Sequence, residues 1–257
     1  MTSFTAGRDG ISVAYDHLGS GAPVLLLHGF ASSREQNWRS TGWYRILDEA
    51  GFRLIAPDFR GHGESGKPRD PALYGARMLE DAMEAMEACE APTCDVIGYS
   101  MGGYLAIDLM LRYPERVRKL VVAGVGANYF AAPAWQAIAD ALESDAYPEN
   151  ADPLVQRFWL FANQKGKDPL ALSACIRAGF PRHGSAELKA GRRAVLVVAG
   201  SADDHAGDPK VLADAFADGH AVVLAGKDHM NAVGDGGLKR AALAFLGADA
   251  ALWSPPD

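Results

Sequence analysis

The chain has 257 residues, 49% of them hydrophobic and 22% charged, with a formal net charge of −7. That size and apolar share allow one domain with a sizeable core, and the acidic balance argues against an electrostatic grip on nucleic acid or an anionic membrane surface. Cys89, Cys94 and Cys175 show neither C-x-x-C nor metal-ligand spacing, so no disulfide framework is expected and a reducing, cytoplasmic setting is.

Met1 to Gly10 holds no basic stretch followed by an apolar core, so no signal peptide is expected. No apolar run approaches the ~20 residues a membrane helix needs. Residues 2–16 read as a hairpin turning at Asp9-Gly10, with Ile11, Val13 and Tyr15 alternating with polar neighbours. Beyond Pro23 the pattern changes. Val24 to Leu27 is apolar throughout, as a strand buried on both faces of a parallel sheet requires. Similar runs recur at Leu54 to Ala56, Val96 to Ile97, Leu120 to Val122, Val195 to Val198 and Ala221 to Leu224. Helical patterns fall between them at about 38–50, 73–90, 103–112, 209–217 and 237–246. The alternation predicts an α/β fold: a mostly parallel central sheet with helices on both faces.

In the helix near 73–90, Leu79, Ala82, Met83 and Met86 form a core stripe, and Glu80, Glu84 and Glu87 a solvated face. Neither reads as a cofactor or metal site. From about Asn128 to Ala190 the alternation breaks. Helical stretches carrying Trp135, Phe158, Trp159, Leu160 and Phe161 are punctuated by Pro148, Pro153, Pro169 and Pro181. An insertion of this length between sheet strands reads as a small helical cap over a site, within a single domain spanning 1–257. The tail from Trp253 to Asp257 reads as loose.

Gly98-Tyr99-Ser100-Met101-Gly102-Gly103 follows the run Cys94 to Ile97 and precedes the helical pattern from Tyr104 to Leu111. Between a strand and a helix, G-x-S-x-G reads as a nucleophile elbow, its glycines allowing a turn too tight for side chains. The structural alternative is a serine that only caps the helix. A serine hydroxyl is a weak nucleophile at neutral pH, so a base and an orienting acid must follow. Two segments just past strand runs supply them: Gly200 to His205, and Ala225 to Met230. On the residues alone the acid is open among Asp203, Asp204 and Asp208, and the base between His205 and His229. The N–H after the nucleophile, that of Met101, is the first oxyanion donor expected at such an elbow.

These motifs, together with His28-Gly29-Phe30 and Asp58-Phe59-Arg60-Gly61-His62-Gly63-Glu64-Ser65, resemble the α/β-hydrolase family in its serine-nucleophile, esterase-like branch. The resemblance covers nearly the whole chain. It implies Ser100 as nucleophile, His229 as general base and acid, and Asp203, three residues past the strand-ending glycine, as orienting carboxylate. It also implies the Phe30 N–H as second oxyanion donor, His28 as a scaffold histidine bracing the oxyanion loop, and His62 as a turn residue. His205 then reads as a loop histidine, and His17, His183 and His220 carry no motif. No cofactor and no metal are implied.

A serine at the elbow argues against haloalkane dehalogenases and epoxide hydrolases, which use a carboxylate there, and dienelactone hydrolases, which use a cysteine. The implied activity is hydrolysis of a carboxylic ester of a small, largely apolar substrate through an acyl-enzyme. Carbon-carbon bond hydrolases, lactonases, thioesterases and perhydrolases share the triad; Ala31 disfavours hydroxynitrile lyases. A small-molecule receptor that keeps the fold is the alternative of another class. Phe30, Trp159 and Met230 are candidate pocket walls. Arg157, Arg177, Arg182 and His183 read as solvated cap surface rather than a grip on an acidic group. Oligomeric state is not legible.

Overall fold

A computed structural model of the protein describes residues 2–7, 9–131 and 135–248. Its strands are β1 (Thr2–Ala6), β2 (Ser12–Leu18), β3 (Ala22–Leu27), β4 (Phe52–Pro57), β5 (Cys94–Tyr99), β6 (Val117–Ala123), β7 (Ala194–Gly200) and β8 (Gly219–Leu224). They form one sheet in the order β1-β2-β4-β3-β5-β6-β7-β8. The hairpin β1–β2 is antiparallel and joins β4 antiparallel. All other pairs are parallel.

The continuous apolar runs are explained by burial on both faces. Along β3, Leu25 and Leu27 enter one core while Val24 and Leu26 enter the other; along β5, Val96 faces the first and Ile97 and Tyr99 the second. The first face is covered by α2 (Arg77–Ala88) and α3 (Met101–Arg112), the second by α1 (Trp43–Glu49) and α9 (Gly236–Leu246). The run Ala221 to Leu224 departs from the expectation of burial on both sides. As β8 it is the sheet edge, paired only with β7, and Val223 is 54% exposed. Of the core stripe expected on α2, Leu79, Ala82 and Met86 are buried and Met83 is half-buried, and Met78 is buried beside them. Asp81 on the same helix is fully buried, accepting from Arg60 Nε at 2.8 Å and Nη2 at 2.6 Å.

Between β6 and β7 the chain leaves the sheet to build the cap from α4 (Trp135–Leu142), α5 (Pro153–Ala162), α6 (Pro169–Ala178) and α7 (Ser185–Ala190). Asp152 and Asp168 cap α5 and α6, accepting from backbone N–H groups of the first turn, and each is followed by a proline whose φ suits the first helical position. Asp208 and Pro209 open α8 (Pro209–Ala213) in the same way. The cap does not form a satellite core: Trp135, Ile138, Phe158 and Leu172 belong to the apolar cluster that continues into α2 and α3. Among the described residues no helix is long and apolar enough to cross a membrane. The tail from Trp253 to Asp257 lies outside the described residues.

The register levels the carboxyl ends of the central strands. Leu27 lies beside Gly98, Tyr99 beside Ala123, and Gly200 beside Leu224. The segments following β3, β5, β7 and β8 therefore meet at one edge of the sheet, under the cap.

Candidate active site

Ser100 leaves β5 with φ 52° and ψ −118°, a conformation costly for any residue with a Cβ. Backbone bonds over-determine it. Its N–H donates to Ala123 O at 2.8 Å, and its carbonyl accepts from Gly103 at 2.7 Å and Tyr104 at 3.2 Å. The flanking glycines are needed for close approach: a Cβ at Gly98 would lie 2.3 Å from Gly102 O, and one at Gly102 only 2.0 Å from Leu27 O.

His229 lies in the turn after β8. Asp228 shapes that turn, its carboxylate accepting from the N–H groups of Met230 and Asn231, each at 2.9 Å. The Tyr99 hydroxyl donates to the His229 carbonyl at 2.5 Å. Asp203 lies in the loop after β7 with its side chain fully buried, and its Oδ1 accepts the Ala206 N–H at 2.9 Å. His229 Nδ1 lies 2.9 Å from Asp203 Oδ2 and 3.1 Å from Oδ1, while Nε2 lies 3.0 Å from Ser100 Oγ. An ionised carboxylate only accepts, so Nδ1 carries the hydrogen and the Nε2 lone pair receives the serine hydroxyl.

The loop after β3 is braced through His28. Its Nε2 accepts the Phe59 N–H at 3.1 Å, which leaves Nδ1–H to donate to Gly29 O at 2.8 Å. Burial holds this imidazole neutral, pushing its pKa down to about 4. The Arg34 N–H and guanidinium both reach Asp58, and Gly29 N–H donates to Asn37 Oδ1 at 3.1 Å. Among the described residues, neither the Phe30 nor the Met101 N–H is matched to a protein acceptor.

A cavity of about 460 Å³ opens over Ser100 and His229. Phe30, Leu154, Phe158, Leu160, Phe161 and Met230 supply its apolar lining. Among the described residues no group of three or more His, Cys, Asp or Glu side chains is arranged to hold a metal ion.

Residues 22–192 match the model of the alpha/beta hydrolase fold family. The chain belongs to this family. A 2-hydroxymuconate semialdehyde hydrolase from Pseudomonas putida is 38% identical over 112 residues, 43% of this chain and 39% of that protein. A pimeloyl-[acyl-carrier protein] methyl ester esterase from Nitrosospira multiformis is 34% identical over 142 residues, 54% of this chain and 52% of that protein. These matches span about two fifths to half the length of the curated relatives. The crystal structure of a hydrolase from Pseudomonas aeruginosa superimposes with a TM-score of 0.80 at 28% identity, covering 96% of this chain and 98% of that one.

Within this α/β-hydrolase fold, the candidates named from sequence fall in different places. Of the loop carboxylates, Asp203 reaches His229; Asp204 is exposed, its carbonyl accepting from Asn128, and Asp208 caps α8. Met230 lines the cavity, whereas Trp159 packs its indole against Tyr147, at 5.4 Å between centroids, and is absent from the lining. Arg177 pairs with Asp140 and Glu143 on the cap, Arg182 donates to the Ala131 carbonyl, and His183 Nε2 lies 2.8 Å from Asp108. Arg157 does line the cavity. Tyr99, Asn37 and His205 are among the lining residues to which sequence reasoning gave no role in the site. Tyr99 and Asn37 act through single contacts that no spacing announces. His205, two positions past Asp203, stands with its ring centroid 4.6 Å from that of His229, and that offset was the available signal. Burial, with the facing His229, pushes the His205 imidazole down to about 4.

Proposed function

We propose that this protein is a serine hydrolase that cleaves a carboxylic ester of a small, largely apolar substrate through an acyl-enzyme. The observation that carries the reading is the continuous relay from Asp203 through His229 to Ser100, with spacings of 2.9 and 3.0 Å, at the floor of an apolar cavity. His229 takes the hydroxyl proton as Ser100 Oγ attacks the carbonyl carbon, and Asp203 holds the imidazole tautomer and stabilises the imidazolium. The N–H groups of Phe30 and Met101 hold the oxyanion, each worth about 2.7–4 kcal/mol of transition-state stabilisation. The protonated His229 then gives its proton to the leaving alcohol, and as a base it activates the water that releases the acid. No cofactor or metal enters these steps.

Carbon-carbon bond hydrolysis on the same triad is the second reading, favoured by the Pseudomonas putida relative named for 2-hydroxymuconate semialdehyde. The test is one activity panel containing short nitrophenyl esters, a thioester, a lactone and that semialdehyde, with Ser100→Ala as control and a serine-directed phosphonate as label. Ester turnover that falls by on the order of 10⁶ in Ser100→Ala is the expected outcome. Turnover of the semialdehyde alone selects the second reading. Labelling of Ser100 without turnover of any substrate selects a receptor, and wild-type ester rates in a folded Ser100→Ala protein end the triad assignment.

A further inference from the structure

His205 takes no part in the relay, yet its surroundings are those of a pocket residue. Its ring sits in an aromatic corner, with centroids 5.3 Å from Trp135, 5.7 Å from Phe158 and 4.6 Å from His229. Among the described residues neither ring nitrogen has a hydrogen-bond partner; only the His205 backbone carbonyl is engaged, accepting from Asn128 Nδ2 at 3.1 Å. A histidine kept for structure ordinarily ties at least one nitrogen to a neighbour, as His28 does.

His205 also lines a second cavity of about 350 Å³, whose apolar side is Tyr104, Trp135 and Ile138 and whose polar side is Asn128, Asp152, Arg157 and Asp204. It shares Leu154, Arg157, Asp204 and His205 with the cavity over Ser100, so these four side chains form a common wall. Of the four, His205 packs its ring edge-to-face on the His229 imidazole, which places it where a substrate bound at Ser100 would meet that wall.

We infer that His205 is the partition between a reaction chamber and a second chamber with an aromatic side, and that it sets the length of the alkyl or aryl arm an ester substrate can carry. The inference rests on the ester-hydrolase reading above. Its consequence is a ranking: shrinking His205 joins the chambers, and longer arms gain where short ones gain nothing. Each further methylene removed from water is worth a factor of about four, so an arm extended by two or more methylenes into the second chamber gains at least about tenfold.

The experiment measures kcat/KM for two ester series, one graded from butanoyl to decanoyl on a fixed nitrophenyl alcohol and one graded in the alcohol on a fixed acetyl group. His205→Ala should raise the long-to-short ratio at least tenfold in one series, and the responding series tells which side of the ester faces the partition. Adding Ala131→Phe, at the exposed rim of the second chamber, should return the ratio toward wild type. Should the alanine variant lose its fold, His205→Val opens the same wall with a smaller change. A uniform loss across both series, with the ranking intact, overturns the inference and leaves His205 as a support for His229. A gain that survives Ala131→Phe overturns it as well, because the arm then lies elsewhere. Ser100→Ala separates this failure from failure of the ester reading: if that variant abolishes turnover while the ranking ignores His205, only the partition is wrong.

Discussion

The Tyr99 hydroxyl donates to the His229 carbonyl oxygen at 2.5 Å, so the residue just before Ser100 in the chain anchors the backbone of the imidazole that faces Ser100. Tyr99 is 4% exposed, and burial keeps its hydroxyl protonated well above the ordinary range. Tyr99→Phe removes one neutral hydrogen bond and little packing, and should cost about 1 kcal/mol of stability in urea unfolding. Freed from its anchor, His229 should align less well. We expect kcat to fall about tenfold at nearly constant KM. Unchanged kcat would mean that the bond serves the fold alone.

Much of the scaffold was legible because the sheet interior imposes a simple demand. Runs such as Val24 to Leu27 and Val195 to Val198 are apolar at every position since both faces are covered. The run Ala221 to Leu224 misled for the same reason: its composition does not distinguish a central strand from an edge. The elbow was legible because tight turns restrict residue type at Gly98 and Gly102. The cavity walls were not. Whether Trp159 or its neighbours Phe158 and Leu160 line the cavity depends on the rotation of α5, which turns Trp159 toward Tyr147.

Asp203 and Asp204 are adjacent in sequence and differ in what they reach. Only the first touches His229 Nδ1. Asp203→Asn replaces an acceptor with a group that can also donate, which permits the wrong imidazole tautomer, and kcat should fall by on the order of 10⁴. For Asp204→Asn, on the cavity wall, a loss below about tenfold is expected. Steady-state kinetics on one ester compares the two, and equal losses would reopen the choice of acid.

Strain at Ser100 predicts a conflict between stability and activity. With φ at 52° the Cβ is crowded by its own backbone, a burden glycine does not carry. Both Ser100→Gly and Ser100→Ala lose the proposed nucleophile and should be inactive. The glycine variant should nevertheless be the more stable of the two by about 1 kcal/mol, after its larger unfolded-state entropy is counted. Calorimetry or urea titration decides it, and an alanine variant equal to or above glycine would show the turn to be unstrained.

His28 is 0% exposed, and its pKa of about 4 lies below the ordinary 6.5 because burial disfavours the charged ring. Between those values the unfolded chain binds a proton that the folded chain does not. The sign follows: the stability this neutral ring permits is fully present above about pH 6.5 and is lost as pH falls toward 4, to a total of about 3 kcal/mol. His62, 2% exposed and pushed down to about 3 by burial and by His28, acts in the same direction. Urea midpoints should therefore be lower at pH 5 than at pH 7. Nitrogen NMR of the rings provides the site-specific check, with His28 neutral and protonated on Nδ1 throughout that range. Protonation of His28 near pH 6.5 in the folded protein would contradict both its burial and the Phe59 N–H bond to its Nε2 at 3.1 Å, and with them the bracing of the Phe30 loop.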